Sequence, residues 1–162
     1  MTTSRRTTTA APLPADHSAE GPIDCQPLGE TLARAEATTS ALRVNYPIWA
    51  RSDLDKAQTA LNAARREPAP GRKHLDELHA MMHNIKGQGT SFGYPLVTRI
   101  GQSLCRLVAP GRAVDSAGMK VAQAHLDALM LVLDQRIAGS GEELGDRLAR
   151  RLEGLTEKAG AE

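Results

Sequence analysis

Residues 83–93 read His-Asn-Ile-Lys-Gly-Gln-Gly-Thr-Ser-Phe-Gly, near the middle of a chain of 162 residues. Ile85 and Phe92 are seven residues apart, a spacing that keeps both side chains on one face of an α-helix. Gly87 and Gly89 lie between them, and each glycine inside a helix costs about 0.5–1 kcal/mol relative to alanine. This conflict indicates an early helix end, close packing against a neighbouring helix, or a functional requirement.

Apolar residues on either side of this stretch repeat at helical spacing. The repeat before it starts near Lys73, and the repeat after it starts at Pro95, since proline favours the first turn of a helix. Ala109-Pro110-Gly111 ends the second repeat. The predicted buried seams are Leu75, Leu78, Met82 and Ile85 in the first helix, with Phe92 extending it, and Leu96, Ile100, Leu104 and Leu107 in the second.

Two more helices are predicted before this pair. The first covers Gly29 to Val44 and is halted by Asn45-Tyr46-Pro47, because proline lacks the N–H that an interior helical position needs. The second runs from about Ser52, a candidate N-cap, to Arg66. Its inward stripe is predicted to be Leu54, Ala57, Leu61 and Ala64.

Two helices are predicted after the pair. Asp115 or Ser116 caps a helix that reaches about Ile137. The turn Gly139-Ser140-Gly141 separates it from a last, amphipathic helix. The residues predicted to face inward are Val121, His125 or Leu126, Leu129 and Leu133 in the first of these helices, and Leu144, Leu148, Leu152 and Leu155 in the second.

Composition and segment order together predict the fold class. The chain is 41% hydrophobic but only 2% aromatic, which favours an aliphatic core and helices over sheet. Six amphipathic segments with short connections predict an all-α helical bundle, and the loop lengths favour up-and-down order. The predicted division is a disordered tail over residues 1–27, rich in Thr, Ser, Ala and Pro, an accessory N-terminal helix over 28–50, and the bundle over 51–158.

Charge and cysteine content bound the function. The net charge of +1 argues against nucleic-acid binding, which needs a surplus of Lys and Arg on one face. No apolar run approaches the roughly 18 residues of a membrane span, and the N-terminus lacks the apolar core of a secretory signal. Cys25 and Cys105 lie far apart in dissimilar surroundings and are interpreted as reduced thiols. The sequence therefore predicts a cytoplasmic protein.

His83 is the candidate reactive group. Helical spacing places it beside His79 on one side and beside Lys86 and Gly87 on the other, opposite the predicted buried seam. An exposed imidazole can attack a phosphoryl group as a nucleophile. Lys86 would neutralise the charge that develops, and Gly87 would leave room for the active site of a second protein.

Residues 83–93 resemble the signature of the histidine-containing phosphotransfer (HPt) domain: a phosphorylatable His, an apolar residue, Lys-Gly, small or polar residues, then a large apolar residue and Gly. The resemblance implies an antiparallel up-and-down four-helix bundle, here with an additional N-terminal helix, and it implies that His83 is exposed near the middle of a helix. It assigns His83 as phosphoacceptor, Lys86 as the charge-neutralising neighbour and Gly87 as clearance for the docking partner. It places Gly89 and Ser91 at small-residue positions, with Phe92 and Gly93 anchoring and ending the segment.

The resemblance also implies partners and a docking surface. An HPt domain takes its phosphoryl group from a receiver-domain aspartate or a hybrid sensor histidine kinase and passes it to another receiver. We therefore expect a monomeric phosphocarrier without kinase activity, cofactor or metal. Further binding residues expected around His83 are His79, Gln88, Ser91 and Gln102. In the family a Gln or acidic residue on the next helix often faces the phosphohistidine, whereas counting here reaches Cys105, one turn beyond Gln102.

Two alternatives remain open on the residues alone. His79 and His83 form an i, i+4 pair of the kind that binds zinc on a helix, with His74 and Asp76 nearby but without a convincing third and fourth ligand. Alternatively the chain is a purely structural or adaptor bundle, in which Gly87 and Gly89 serve helix packing.

Overall fold

A computed structural model describes residues 26–67 and 71–160, and within these ranges the chain forms five α-helices and no strand. The predicted all-α class is confirmed. Of the predicted tail, residues 1–25 lie outside the described residues. The helices are α1 (Gln26–Arg66), α2 (Arg72–Gly89), α3 (Pro95–Leu107), α4 (Ser116–Asp134) and α5 (Glu142–Lys158).

The predicted break at residues 45–47 is wrong, because α1 continues through Pro47 as one helix of 41 residues. An interior proline costs a helix about 3 kcal/mol. Tertiary contacts at the adjacent residue offset this cost. Tyr46 is fully buried, its ring stacks on Phe92 with 5.0 Å between the centroids, and its hydroxyl donates to the carbonyl oxygen of Ile85 at 3.1 Å. The predicted accessory helix is therefore the N-terminal half of α1.

Helices α1 to α4 contact one another in a closed cycle: α1 with α2, α2 with α3, α3 with α4, and α4 with α1. Helix α5 contacts α3 and α4. Residues 28–45 of α1 are exposed along their whole length, whereas its later residues share the aliphatic core. The largest fully buried side chains of that core include Leu54, Leu61, Leu75, Leu78, Met82, Ile85, Ile100, Leu104, Leu107, Leu126 and Leu129.

The seams predicted for α2 and α3 are confirmed, since all eight predicted positions within these helices are buried. Helix α3 begins at Pro95, as predicted. Asp115 is the N-cap of α4, because its carboxylate accepts the N–H of Gly118 at 2.7 Å. These agreements follow from periodicity and capping, which act locally.

The inward face predicted for α5 is wrong in part. Leu144 is 75% exposed, and Leu148 and Leu155 are only half-buried. A helix can approach its neighbours most closely along a stripe of small side chains, and here Gly145 lies against the carbonyl of Ser140 and the side chain of Leu96. The buried residues of α5 are Gly145, Ala149, Leu152 and Thr156.

A buried polar cluster joins α3, α4 and α5. The His125 Nδ1 atom lies 2.8 Å from the carbonyl oxygen of Val121, and its Nε2 atom lies 3.0 Å from Ser103 Oγ. Thr156 Oγ1 completes the cluster at 3.0 Å from Ser103 Oγ. Burial lowers the pKa of His125, so its ring is neutral at pH 7. The sequence offers His125 or Leu126 for the inward face of α4, and in the structure both are buried.

No helix within residues 26–67 and 71–160 combines the length and the apolarity needed to cross a membrane.

Candidate functional site

The imidazole of His83 is exposed on α2, on the face opposite the buried seam. One turn earlier, His79 is half-buried, with 6.4 Å between the two ring centroids. Burial lowers the pKa of His79, and the neighbouring His83 and Lys86 lower it further. His79 is therefore neutral at pH 7 and adds no positive charge beside the exposed ring.

Lys86 is half-buried, although its helical spacing beside His83 predicts an exposed side chain. Its stem lies against α3, where a Cβ atom placed on Gly101 would be 3.0 Å from Lys86 Cβ. The absence of a side chain at Gly101 thus allows α2 and α3 to approach closely at Lys86. The aliphatic part of a lysine can be buried in this way while its ammonium reaches water.

The two glycines of the motif have different surroundings. A Cβ atom placed on Gly87 would have nothing within 4 Å. A Cβ atom placed on Gly89 would lie 2.6 Å from Thr98 Oγ1 and 2.9 Å from the carbonyl oxygen of Tyr94. Gly89 is therefore required for the packing of α2 against α3, whereas Gly87 is exposed and has no packing role.

The hydroxyl of Thr98 connects α3 to the last turn of α2. Thr98 Oγ1 donates to the carbonyl oxygen of Lys86 at 2.8 Å. The same oxygen accepts the backbone N–H of Thr90 at 2.9 Å and the hydroxyl of Thr90 at 3.0 Å. One side chain of α3 thus satisfies backbone groups at both ends of the turn that contains Gly87.

An aromatic cluster supports the segment after α2. The ring of Tyr46 lies between Phe92, at 5.0 Å, and Tyr94, at 5.4 Å between centroids. Gly93 has φ +87°, a left-handed conformation that favours glycine and turns the chain towards α3. Three of the four aromatic residues of the protein therefore pack at the end of the motif.

The other predicted binding residues lie at the surface. Gln88 and Ser91 follow His83 along the chain and are exposed. Gln102 is exposed on α3 and forms no hydrogen bond with His83 in the part of the chain that the structure describes. Burial raises the pKa of the Cys105 thiol, and the nearby charge of Lys86 opposes that shift. Two α3 residues that lie directly against the motif are Thr98 and Gly101.

Sequence reasoning missed the residues that connect the motif to its neighbours. Gly101 interrupts the helical pattern of α3, and an isolated glycine within a helix is a usable signal of close packing. Tyr46 was interpreted only as part of a helix stop. Thr98 carries no local signal, since a threonine between apolar helical residues is common.

The described residues contain no group of three or more His, Cys, Asp and Glu side chains arranged to hold a metal ion. The two residues considered as additional ligands have other partners. His74 contacts Glu67 and Glu77, at 3.1 and 3.2 Å, and Asp76 pairs with Arg72 at 2.5 Å. The zinc alternative therefore has only the His79–His83 pair in its favour.

Chemically, the site offers one exposed nucleophilic ring, a lysine one turn away, and an open surface at Gly87. No protein-family model, curated protein or solved structure matches the chain.

Proposed function

We propose that this chain is a histidine phosphotransfer protein of a two-component phosphorelay. It accepts a phosphoryl group at His83 from a receiver-domain aspartate or a hybrid sensor histidine kinase, and passes the group to another receiver aspartate. The observation that carries the proposal is the contrast between Gly87 and Gly89. Gly87 has a conformational cost and no packing role, yet it lies one turn from the exposed imidazole, where a docking protein needs clearance.

The proposed transfer requires no chemistry beyond what these side chains supply. The unprotonated ring nitrogen of His83 attacks the phosphorus of an aspartyl phosphate, a P–N bond forms, and the P–O bond to the aspartate breaks. The aspartate leaves as a free carboxylate. The Lys86 ammonium stabilises the negative charge on the phosphoryl oxygens during this step. The reverse sequence returns the group to a receiver.

The proposed architecture is an antiparallel up-and-down four-helix bundle built from the second half of α1 together with α2, α3 and α4. Its support is the closed cycle of helix contacts and the order of cross-links between α1 and α4. Arg51 pairs with Asp134 at 2.5 Å, and Gln58 forms a hydrogen bond with Gln123 at 2.9 Å. Residue numbers therefore increase along α1 where they decrease along α4, as in an antiparallel pair of helices. Helix α5 and the exposed half of α1 are additions to this bundle.

The proposed partners are receiver domains, and the proposed setting is the cytoplasm, with the chain acting as a monomer without cofactor, metal or kinase activity. A receiver presents an acidic pocket around its aspartate, and the charge of Lys86 complements it. The exposed residues around His83, among them Gln88, Ser91 and Gln102, would contact the rim of that pocket.

Phosphotransfer profiling tests the proposal. A panel of receiver domains, each phosphorylated on its aspartate with a labelled small donor, is mixed with the wild-type chain and with two variants. We expect at least one receiver to label the wild type and His79→Gln, but not His83→Gln. The adduct should be labile in acid and stable in base, as a phosphoramidate bond is. Equal labelling of wild type and His83→Gln would refute the assignment of His83.

A further inference from the structure

We propose that Thr98 is a positioning residue for the phosphotransfer site, and that its hydroxyl holds Lys86 in place beside His83. This inference rests on the proposed function, because it concerns how the charge-neutralising lysine is oriented. Thr98 lies on α3 and is not itself expected to contact the phosphoryl group. Its effect is transmitted through the backbone of α2.

A side chain from α3 takes part in the hydrogen bonding at the end of α2. In a continuing α-helix the carbonyl of residue 86 would accept the N–H of residue 90. Here the hydroxyl of Thr98 stands between these two groups, donating to the carbonyl of Lys86 at 2.8 Å and accepting the N–H of Thr90 at 2.9 Å. A side chain from a neighbouring helix thus bridges the last turn of α2.

A hydroxyl on a short side chain can form this bridge because it donates and accepts at the same time, whereas an apolar side chain of the same shape can do neither. The close approach that it requires is provided by Gly89, whose missing side chain leaves room for Thr98 Oγ1. Thr90 adds its own hydroxyl to the same oxygen at 3.0 Å. The bridge and the glycine are therefore parts of one packing arrangement.

Lys86 contacts α3 at two points, and the bridge is one of them. Its carbonyl is held by Thr98, and its Cβ packs over Gly101 one turn further along α3. Without the hydroxyl, the Lys86 carbonyl and the Thr90 N–H are free to pair directly, and the last turn of α2 loses these hydrogen bonds to α3. The backbone of Lys86, from which its side chain extends, would then be held less firmly beside His83. Small displacements of a positioned group reduce reaction rates strongly.

The test uses phosphoramidate, a small donor that needs no docking protein. Its P–N bond breaks, ammonia leaves, and a new P–N bond forms to the ring of His83. We expect Thr98→Val, which keeps the shape but not the hydroxyl, to label about tenfold more slowly than wild type. Thr98→Ser should restore most of the rate. Thr59→Val is the matched control, since it removes a hydroxyl that bonds a helix carbonyl at 3.0 Å on α1, away from the site.

A double-mutant cycle with Lys86→Ala separates positioning from a general structural effect. In the Lys86→Ala background, Thr98→Val should slow labelling less than twofold, because the group that it positions is gone. Each variant is first shown to be folded by circular dichroism and urea unfolding, and Thr98→Ala replaces Thr98→Val if the latter does not fold. Equal fold-reductions in both backgrounds, or a wild-type rate for Thr98→Val, would overturn the role of Thr98 while leaving His83 as the acceptor. Two other results would instead count against the proposed function. One is labelling of His83→Gln to the same extent as the wild type. The other is a wild type that neither phosphoramidate nor any phosphorylated receiver labels.

Discussion

Alanine at Gly87 and alanine at Gly89 should change the stability of the folded chain in opposite directions. At Gly87 the new methyl group would meet nothing within 4 Å, so the substitution only removes the conformational freedom of glycine and stabilises by about 0.5–1 kcal/mol. At Gly89 the methyl group would lie 2.6 Å from Thr98 Oγ1 and 2.9 Å from the Tyr94 carbonyl oxygen. Neither atom is the free end of a flexible side chain, and overpacking of this kind costs about 1–3 kcal/mol.

Urea unfolding followed by circular dichroism measures both changes. Allowing for a smaller propensity gain at the last residue of α2, we expect Gly89→Ala to destabilise by about 1–2 kcal/mol. Thermal midpoints should move by about 2–4 °C for each kcal/mol. Gly154→Ala is the control, because Gly154 is also helical with nothing within 4 Å of an added Cβ, but lies on α5. If both motif variants shifted in the same direction, the division of roles between the two glycines would be wrong.

Glutamine at Gly87, with Gly154 as the control site, separates docking of a receiver from the chemistry at His83. Gly87→Gln should label with phosphoramidate at close to the wild-type rate, because a small donor needs no clearance, but should lose transfer from a phosphorylated receiver by about a hundredfold. Gly154→Gln should retain both activities. Unchanged transfer from the receiver to Gly87→Gln would remove the clearance argument.

Three further predictions follow from burial and exposure. Lys86→Ala should lower the free energy of unfolding by no more than about 1 kcal/mol, measured in urea, while slowing phosphoramidate labelling; a larger loss would show that the side chain is mainly structural. Burial lowers the pKa of His125 below its ordinary 6.5, so on acidification the unfolded chain binds a proton before the folded chain does. The free energy of unfolding should therefore be fully present above pH 6.5 and fall towards pH 5 by up to about 1.4 kcal/mol per pH unit. Urea unfolding at several pH values should show a flatter profile for His125→Gln, and an equally steep profile would show that His125 does not cause the fall. Leu32→Ala in the exposed half of α1 should change the free energy of unfolding by less than about 0.5 kcal/mol, since Leu32 is 55% exposed; a large loss would mean that this half of α1 is covered in solution.

The sequence predicted the parts of the fold that depend on local periodicity. The seam ending at Ile85, the start of α3 at Pro95 and the cap at Asp115 are each decided within one or two turns of helix. The stop predicted at Pro47 failed because Tyr46 makes long-range contacts that a local rule does not include. The inward face of α5 was misassigned because hydrophobicity favours Leu144, whereas close packing uses small residues.

The candidate site was predictable only along α2 itself. Helical spacing places His83 and Gly87 on the exposed side of the helix, and the structure agrees. The half-buried state of Lys86 depends on Gly101, and the bridge at the end of the helix depends on Thr98, both on α3. Contacts between separate helices cannot be obtained from the periodicity of either one.

Phosphotransfer through His83 is tested most directly by locating the phosphoryl group on the chain after transfer from a phosphorylated receiver. Tandem mass spectrometry at alkaline pH, supported by ³¹P NMR of the intact protein, identifies the modified residue without any substitution. We predict a single phosphohistidine at His83. Phosphate on another residue, or no stable adduct with any receiver tested, would show that His83 is not the phosphoacceptor.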